Sequence, residues 1–303
     1  MLSQPVFASG YVYVTNFTSA RVTVLETATN TVLATVPVGA SPVAVAITPN
    51  GAFAYVANSS AGNVSVIDTT TNTVSATVPV GAGPRGVAIT PDGAFAYVTN
   101  NFPNTVSVIS TASNTVVASV PVGTNPSMIA ITPNGAFGYV PNQASSSVSV
   151  INVATNTVIA TVPVGSSPWG IAISPDGAFA YVANQSSDTI SVINTATNTV
   201  SATVTVGDFP RGVAITPNGA HVYVTNHQSN SVSVIDTATN SVVAVVPVGS
   251  FPFGIAITPN GAVAYVANQL AGNVSVIDIA SNLVTATISI PLGNGILDRK
   301  SVV

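Results

Sequence analysis

The sequence predicts an all-β fold, a seven-bladed β-propeller with four antiparallel strands per blade. Three observations carry this: a 42-residue internal repeat, four short apolar stretches in each copy, and tight-turn residues between them. Tyr13-Val14-Thr15-Asn16 returns at Tyr55, Tyr97, Tyr139, Tyr181, Tyr223 and Tyr265, each 42 residues further on, without insertion or deletion. Seven copies account for nearly all of the 303 residues. A length that would ordinarily suggest two domains therefore reads as one ring over residues 1–293, followed by a divergent tail at 294–303.

In the second copy the stretches are A (Val43–Thr48), B (Ala52–Ala57), C (Asn63–Asp68) and D (Thr73–Val80). They are short and rich in β-branched residues, and C and D alternate with a period of two, which is strand patterning. Between A and B stands Pro-Asn-Gly or Pro-Asp-Gly, as at Pro49-Asn50-Gly51 and Pro91-Asp92-Gly93. Proline presets its own backbone angle there and glycine accepts a positive one. Thr-Ala-Thr-Asn, as at Thr195–Asn198, marks the bend between C and D. Stretch D carries Pro37, Pro79, Pro121, Pro163 and Pro247, which suits an exposed edge because proline cannot donate to a neighbouring ladder; Thr205 breaks the series.

Composition narrows the function classes. Hydrophobic residues make up 47% and charged residues 5%, a chain too apolar to be disordered. Its mean hydropathy is +0.56, yet runs such as Val43–Ile47 stop far short of the ~20 residues of a spanning helix. Without cysteine there are no disulfides, no Cys-ligated zinc and no thiol catalysis. A net charge of −4 with five basic residues excludes a nucleic-acid partner, which needs a basic surface, and membrane insertion is not expected.

The Tyr-Val-Thr-Asn, Val-Ser-Val-Ile-Asp-Thr-Ala-Thr-Asn and Val-Pro-Val-Gly elements resemble the YVTN-family β-propeller repeats of archaeal and bacterial surface-layer and cell-surface proteins. The resemblance runs from about Tyr11 to Gly293. It implies that strand A lines a central channel and D lies outside, and that the family spans adhesive, structural and enzymatic members. This chain departs from the family in its neutral turns, with Asn-Gly-Ala-Phe where Asp-Gly and a nearby Lys are common. The first copy begins at strand B, so its innermost strand must come from Leu2–Phe7 or from the tail. Burying Arg299 and Lys300 would be costly, so closure by the amino-terminal segment is expected, despite Pro5.

Whatever all seven copies share belongs to the scaffold, so function is sought in what differs. The Asp/Asn exchange at Asn50, Asp92, Asn134 and Asp176 reads as turn chemistry, and the seven YVxN asparagines as loop caps. The residue after the loop proline varies most: Val43, Arg85, Ser127, Trp169, Arg211 and Phe253. With A lining the channel, these six ring its mouth, and Phe209 and Phe251 add to the rim. Arg85 and Arg211 offer paired donors to an anion, and Trp169 and Phe253 offer flat apolar surface. The expected ligand site is therefore Arg85, Ser127, Trp169, Arg211 and Phe253, for an anionic or saccharide-like ligand or a cell-surface protein. The bland alternative is that these side chains plug the channel.

No catalytic residue is assigned from sequence. His227 is the candidate for general acid/base work, with Asp208 the nearest carboxylate by position, and His221 reads as a surface substitution. The A strands carry no acidic residue with which to hold a metal as propeller lactonases hold calcium, so no metal and no cofactor are expected. The leading expectation is a non-enzymatic scaffold or binding module. The alternative is a small-molecule lyase or lactone hydrolase, of the virginiamycin-lyase or lactonase type, acting at the mouth through His227. Residues 1–10 show no signal-peptide pattern. Scarce lysine, abundant Ser, Thr and Asn, and the family resemblance predict an extracellular or cell-surface setting. The sparse charge also permits self-association.

Overall fold

A computed structural model describes residues 10–290 and the backbone of the strand Lys300–Val302. Every regular element among these residues is a β-strand, and the strands form seven four-stranded antiparallel sheets. Blade 2 runs Pro42–Ile47 (A), Phe53–Asn58 (B), Asn63–Asp68 (C) and Thr73–Pro79 (D), and blades 3 to 7 repeat it at the predicted spacing except for a shortened strand A in blade 4. The edge role of D holds: its side chains are largely exposed apart from one inward valine or isoleucine per blade. Besides Thr205, Ser289 also stands where the other D strands end in proline.

Hydrophobic packing lies between blades. Tyr55, Val64 and Val66 of blade 2 meet Val87, Ile89 and Val98 of blade 3, and the pattern recurs around the ring. Each YVxN tyrosine is buried, and in five of the seven the hydroxyl donates across the blade boundary. Tyr55 reaches Asn114 at 2.7 Å, Tyr97 reaches Asn156, Tyr139 reaches Asn198, Tyr223 reaches Asn282, and Tyr265 reaches Asn30. These acceptors are the asparagines of the C–D bend, held at φ of 52–56°. Asparagine tolerates that left-handed conformation better than most residues, and its side chain also supplies the interblade acceptor.

Closure of the ring differs from the expectation. Lys300–Val302 forms the innermost strand of blade 1, pairing Val14 with Val302, Thr15 with Ser301 and Asn16 with Lys300. Lys300–Val302 therefore belongs to the propeller rather than to a divergent tail. The inner edge of Tyr11–Asn16 presents ladder groups that need a partner. A three-residue strand free of proline supplies both donors and acceptors, whereas Pro5 lacks the donor. Leu2–Phe7 lies outside the described residues.

Strand A is bulged in five of the other blades. Its register shifts between Pro84 and Val87, Pro168 and Ile171, Pro210 and Val213, and Pro252 and Ile255, with a similar shift after Pro42. The post-proline residue sits inside the bulge, which turns its side chain out of the ladder and toward the axis. Blade 4 differs, with strand A reduced to Ala130–Ile131. Pro141 of its neighbour, Phe137–Asn142, has no N–H for a longer ladder.

Candidate ligand site at the channel mouth

Four of the predicted site residues converge. The Arg85 guanidinium carbon lies 5.0 Å from the centre of the Trp169 ring, and that of Arg211 lies 5.1 Å from it. Arg211 also stands 4.7 Å from Phe253 and 5.0 Å from Phe209. Trp169 and Phe253 meet edge to face at 6.0 Å. The two rings are buried (7% and 4% exposed), while both arginines are half-buried. The aromatic pair thus forms a floor across the mouth, and the guanidiniums lie against it. Contact with aromatic faces favours a cation here, and partial desolvation strengthens it.

Close approach of the A strands makes this convergence achievable. Arg85, Trp169 and Arg211 are each followed by glycine. A Cβ on Gly170 would overlap the Arg211 carbonyl oxygen, and one on Gly212 would stand 2.5 Å from the Phe253 carbonyl oxygen. Thr225 then fixes the floor from behind, donating to the Phe253 carbonyl at 2.8 Å while accepting from Gly212 N–H at 2.7 Å.

Ser127 does not belong to the ligand surface. It is fully buried, and its hydroxyl lies within hydrogen-bond reach of the Pro141, Pro168 and Trp169 carbonyls, at 2.8 Å from the last. A hydroxyl small enough to enter the gap left by the shortened strand A staples blade 4 to blade 5.

Phe209 and Phe251 occupy the residue before the loop proline and have φ of 56°. Ser41, Gly83, Asn125 and Ser167 hold the same place with φ of 55–65°. Small and polar residues accept this conformation at modest cost; a phenylalanine there is strained by about 1 kcal/mol or more. The strain places both rings on the rim. His227 stacks on Phe251 at 4.7 Å with an interplanar angle of 5°, and it also contacts Phe209 and Phe253. Its Nε2 lies 3.2 Å from Gln269 Oε1. Asp208 is exposed and ties its loop through its backbone N–H to Ser229 Oγ. Arg21 opens strand C of blade 1, exposed and opposite Pro37, so it shares the face but stands away from the mouth.

A second arc was missed in the sequence. The residue after each YVxN asparagine is Phe17, Ser59, Asn101, Gln143, Gln185, His227 and Gln269. Arg85 Nη1 donates to Asn125 Oδ1 at 2.9 Å and to Gln143 Oε1 at 3.2 Å, and Gln143 Nε2 donates to Gln185 Oε1 at 3.4 Å. Variation between copies, the criterion that singled out the post-proline residues, would have found this position too.

The repeated polar residues are structural. Asn184 Nδ2 donates to Ser191 Oγ at 2.9 Å, as its six counterparts do to their own strand C. Asp92 and Asn50 both accept from an Ala N–H at 3.0 Å within the A–B turn. The hydroxyl of Thr90 holds the Asp92 carboxyl below its usual range, and that of Ser174 does the same for Asp176. His221 lies opposite Asp236 on this acidic face, away from the mouth.

The fold and this mouth define a seven-bladed propeller with a cluster of arginine and aromatic side chains at one end of its axis. The chain belongs to the virginiamycin B lyase family, whose model matches residues 77–291. A model of the cytochrome D1 heme domain matches residues 8–128. No curated protein sequence matches the chain. Among solved structures it is similar to Kuenenia stuttgartiensis hydrazine synthase, with 26% identity, a TM-score of 0.82, and 91% of this chain and 94% of that one covered. It is also similar to a functionally unknown protein from Desulfotomaculum acetoxidans DSM 771, with 20% identity, a TM-score of 0.84 and coverage of 95% and 98%. Dihydro-heme d1 dehydrogenase NirN in complex with DHE shares 16% identity, with a TM-score of 0.70 and coverage of 98% and 67%. The last two likenesses show the fold alone.

The mouth does not fit a haem. Trp169 and Phe253 close the floor where a macrocycle would enter. His227 spends Nε2 on Gln269 and lies flat on Phe251 rather than pointing a ring nitrogen along the axis. No group of three or more His, Cys, Asp or Glu that could hold a metal ion occurs among the described residues.

Proposed function

We propose that this protein is a binding propeller whose channel mouth recognises an anionic ligand through Arg85, Arg211 and the Trp169/Phe253 floor. The observation that carries this reading is the approach of two guanidiniums, from blades 3 and 6, to one buried indole of blade 5. Two guanidiniums held against one indole concentrate positive charge at the mouth, and a bound anion offsets it. The strained Phe209 and Phe251 support it, because strain of this kind persists where a rim must be held in one shape. The test is calorimetric titration with small carboxylates, sulfate and phosphate against wild type, Arg85→Ala and Trp169→Ala. Binding to wild type that weakens at least tenfold in both variants, with no product formed, is the expected result. A surface setting is part of the proposal and rests on composition and the YVTN resemblance.

Family membership favours a second reading, a small-molecule lyase at the same mouth. In that reading His227 is the acid/base group. Turnover of a cyclic ester that vanishes in His227→Ala, with the fold intact, would replace the non-enzymatic reading.

A further inference from the structure

Gln185 is 1% exposed, and its Nε2 has no hydrogen-bond partner. Polar atoms buried this deeply ordinarily have one, and leaving a donor unmet costs stability. Its orientation is dictated from a distance. Arg85 has donors only, so Gln143 must turn Oε1 toward it. Gln143 is then left with Nε2 facing the next blade, and Gln185 must answer with its own Oε1. Reversing the Gln185 amide would set two NH2 groups against each other. The guanidinium therefore sets the polarity of both amides, and the relay ends in a buried donor that lacks an acceptor. On the far side of the gap His227, the equivalent residue of the next blade, is engaged with Gln269. Gln185 also adjoins the floor: its N–H donates to Ser167, and the preceding Asn184 pairs with Pro168, which leads into Trp169.

We infer that Gln185 is a specificity-determining residue of the mouth, and that the ligand is a carboxylate on a flat apolar body, an aromatic carboxylate. This rests on the binding reading above. One carboxylate oxygen accepts from Gln185 Nε2, and the charge is met by the guanidiniums. The body lies among Trp169, Phe209, Phe251, Phe253 and His227, a set of flat surfaces for which an inorganic oxyanion has no use. The two guanidiniums make the mouth cationic, which favours a charged ligand over a neutral one.

The experiment titrates benzoate, benzamide and inorganic phosphate into wild type, Gln185→Leu and Gln185→Glu, with melting temperatures measured alongside. Benzoate is expected to bind wild type better than either other probe. Gln185→Leu removes the donor that has no partner in the free protein, together with the acceptor of Gln143 Nε2, so it should stay folded while binding benzoate at least tenfold more weakly. Gln185→Glu keeps the size, sets a negative charge against the carboxylate, and should lose binding further. Unchanged benzoate affinity in both variants overturns the role of Gln185 and leaves the mouth reading standing. Phosphate binding as tight as benzoate overturns the aromatic class. Failure of wild type to bind any of the anions removes the mouth reading itself.

Discussion

Raising the pH should dismantle the interblade tyrosine belt cooperatively. Burial pushes the hydroxyls of Tyr13, Tyr55, Tyr97, Tyr139, Tyr181 and Tyr223 from 10.0 up to about 12. The folded chain holds these protons more tightly than the unfolded chain. Their contribution is therefore complete below pH 10 and lost as the pH rises through about 12. A two-unit shift corresponds to roughly 2.7 kcal/mol per group at most. The side chains are buried as a whole, but the hydroxyls of Tyr55, Tyr97, Tyr139 and Tyr223 reach asparagines in partly exposed turns, so roughly half that value per group is the fairer figure. Six such groups together reach roughly 8 kcal/mol, comparable with the ~5–15 kcal/mol stability of a typical domain. Tyrosinate absorbance and circular dichroism should thus change together, in one steep transition between pH 10 and 12. Tyrosines that ionise one by one near pH 10 while the β-sheet signal persists would refute the reasoning.

Phe251→Asn puts a residue suited to left-handed backbone at a strained position and should raise stability by about 1 kcal/mol in thermal unfolding, while weakening anion binding through loss of the His227 stack. Gly212→Ala should cost about 1–3 kcal/mol, read from denaturant unfolding, because the Phe253 carbonyl must retreat, and should lower ligand affinity as the floor shifts. Asp92 and Asp176 have lowered carboxyl values, so their contribution is present above pH 3.8 and lost as the pH falls through the folded-state values. The double variant Asp92→Asn/Asp176→Asn should keep the neutral-pH stability, since Asn50 and Asn134 make the same turn contacts, and should lose stability less steeply in acid titrations followed by circular dichroism.

The repeat made the architecture legible because each copy restates the same strand and turn chemistry. Val-Ser-Val-Ile alternation, Pro-Asn-Gly turns and the αL asparagines all act within a few residues of themselves. The mouth was partly legible by the same logic reversed: Arg85, Trp169, Arg211 and Phe253 stood out as departures from the repeat. Ser127 stood out equally and proved structural, because its role depends on the shortened strand beside Pro141. The glutamine arc escaped notice because a lone glutamine after YVxN carries no chemical signal until a guanidinium in another blade fixes its polarity.

By itself, then, the sequence determined seven blades, four strands in each, and which residues break the symmetry. Local propensity and a 42-residue period suffice for that. Only the tertiary structure decided that Lys300–Val302 closes the ring, that Trp169 and Phe253 form a floor beneath two arginines, and that Gln185 ends a relay without an acceptor. These depend on residues from different blades meeting at the axis, where glycines admit close approach and bulges turn the side chains inward. The 42-residue spacing places the post-proline residues at one mouth but does not say which of them touch.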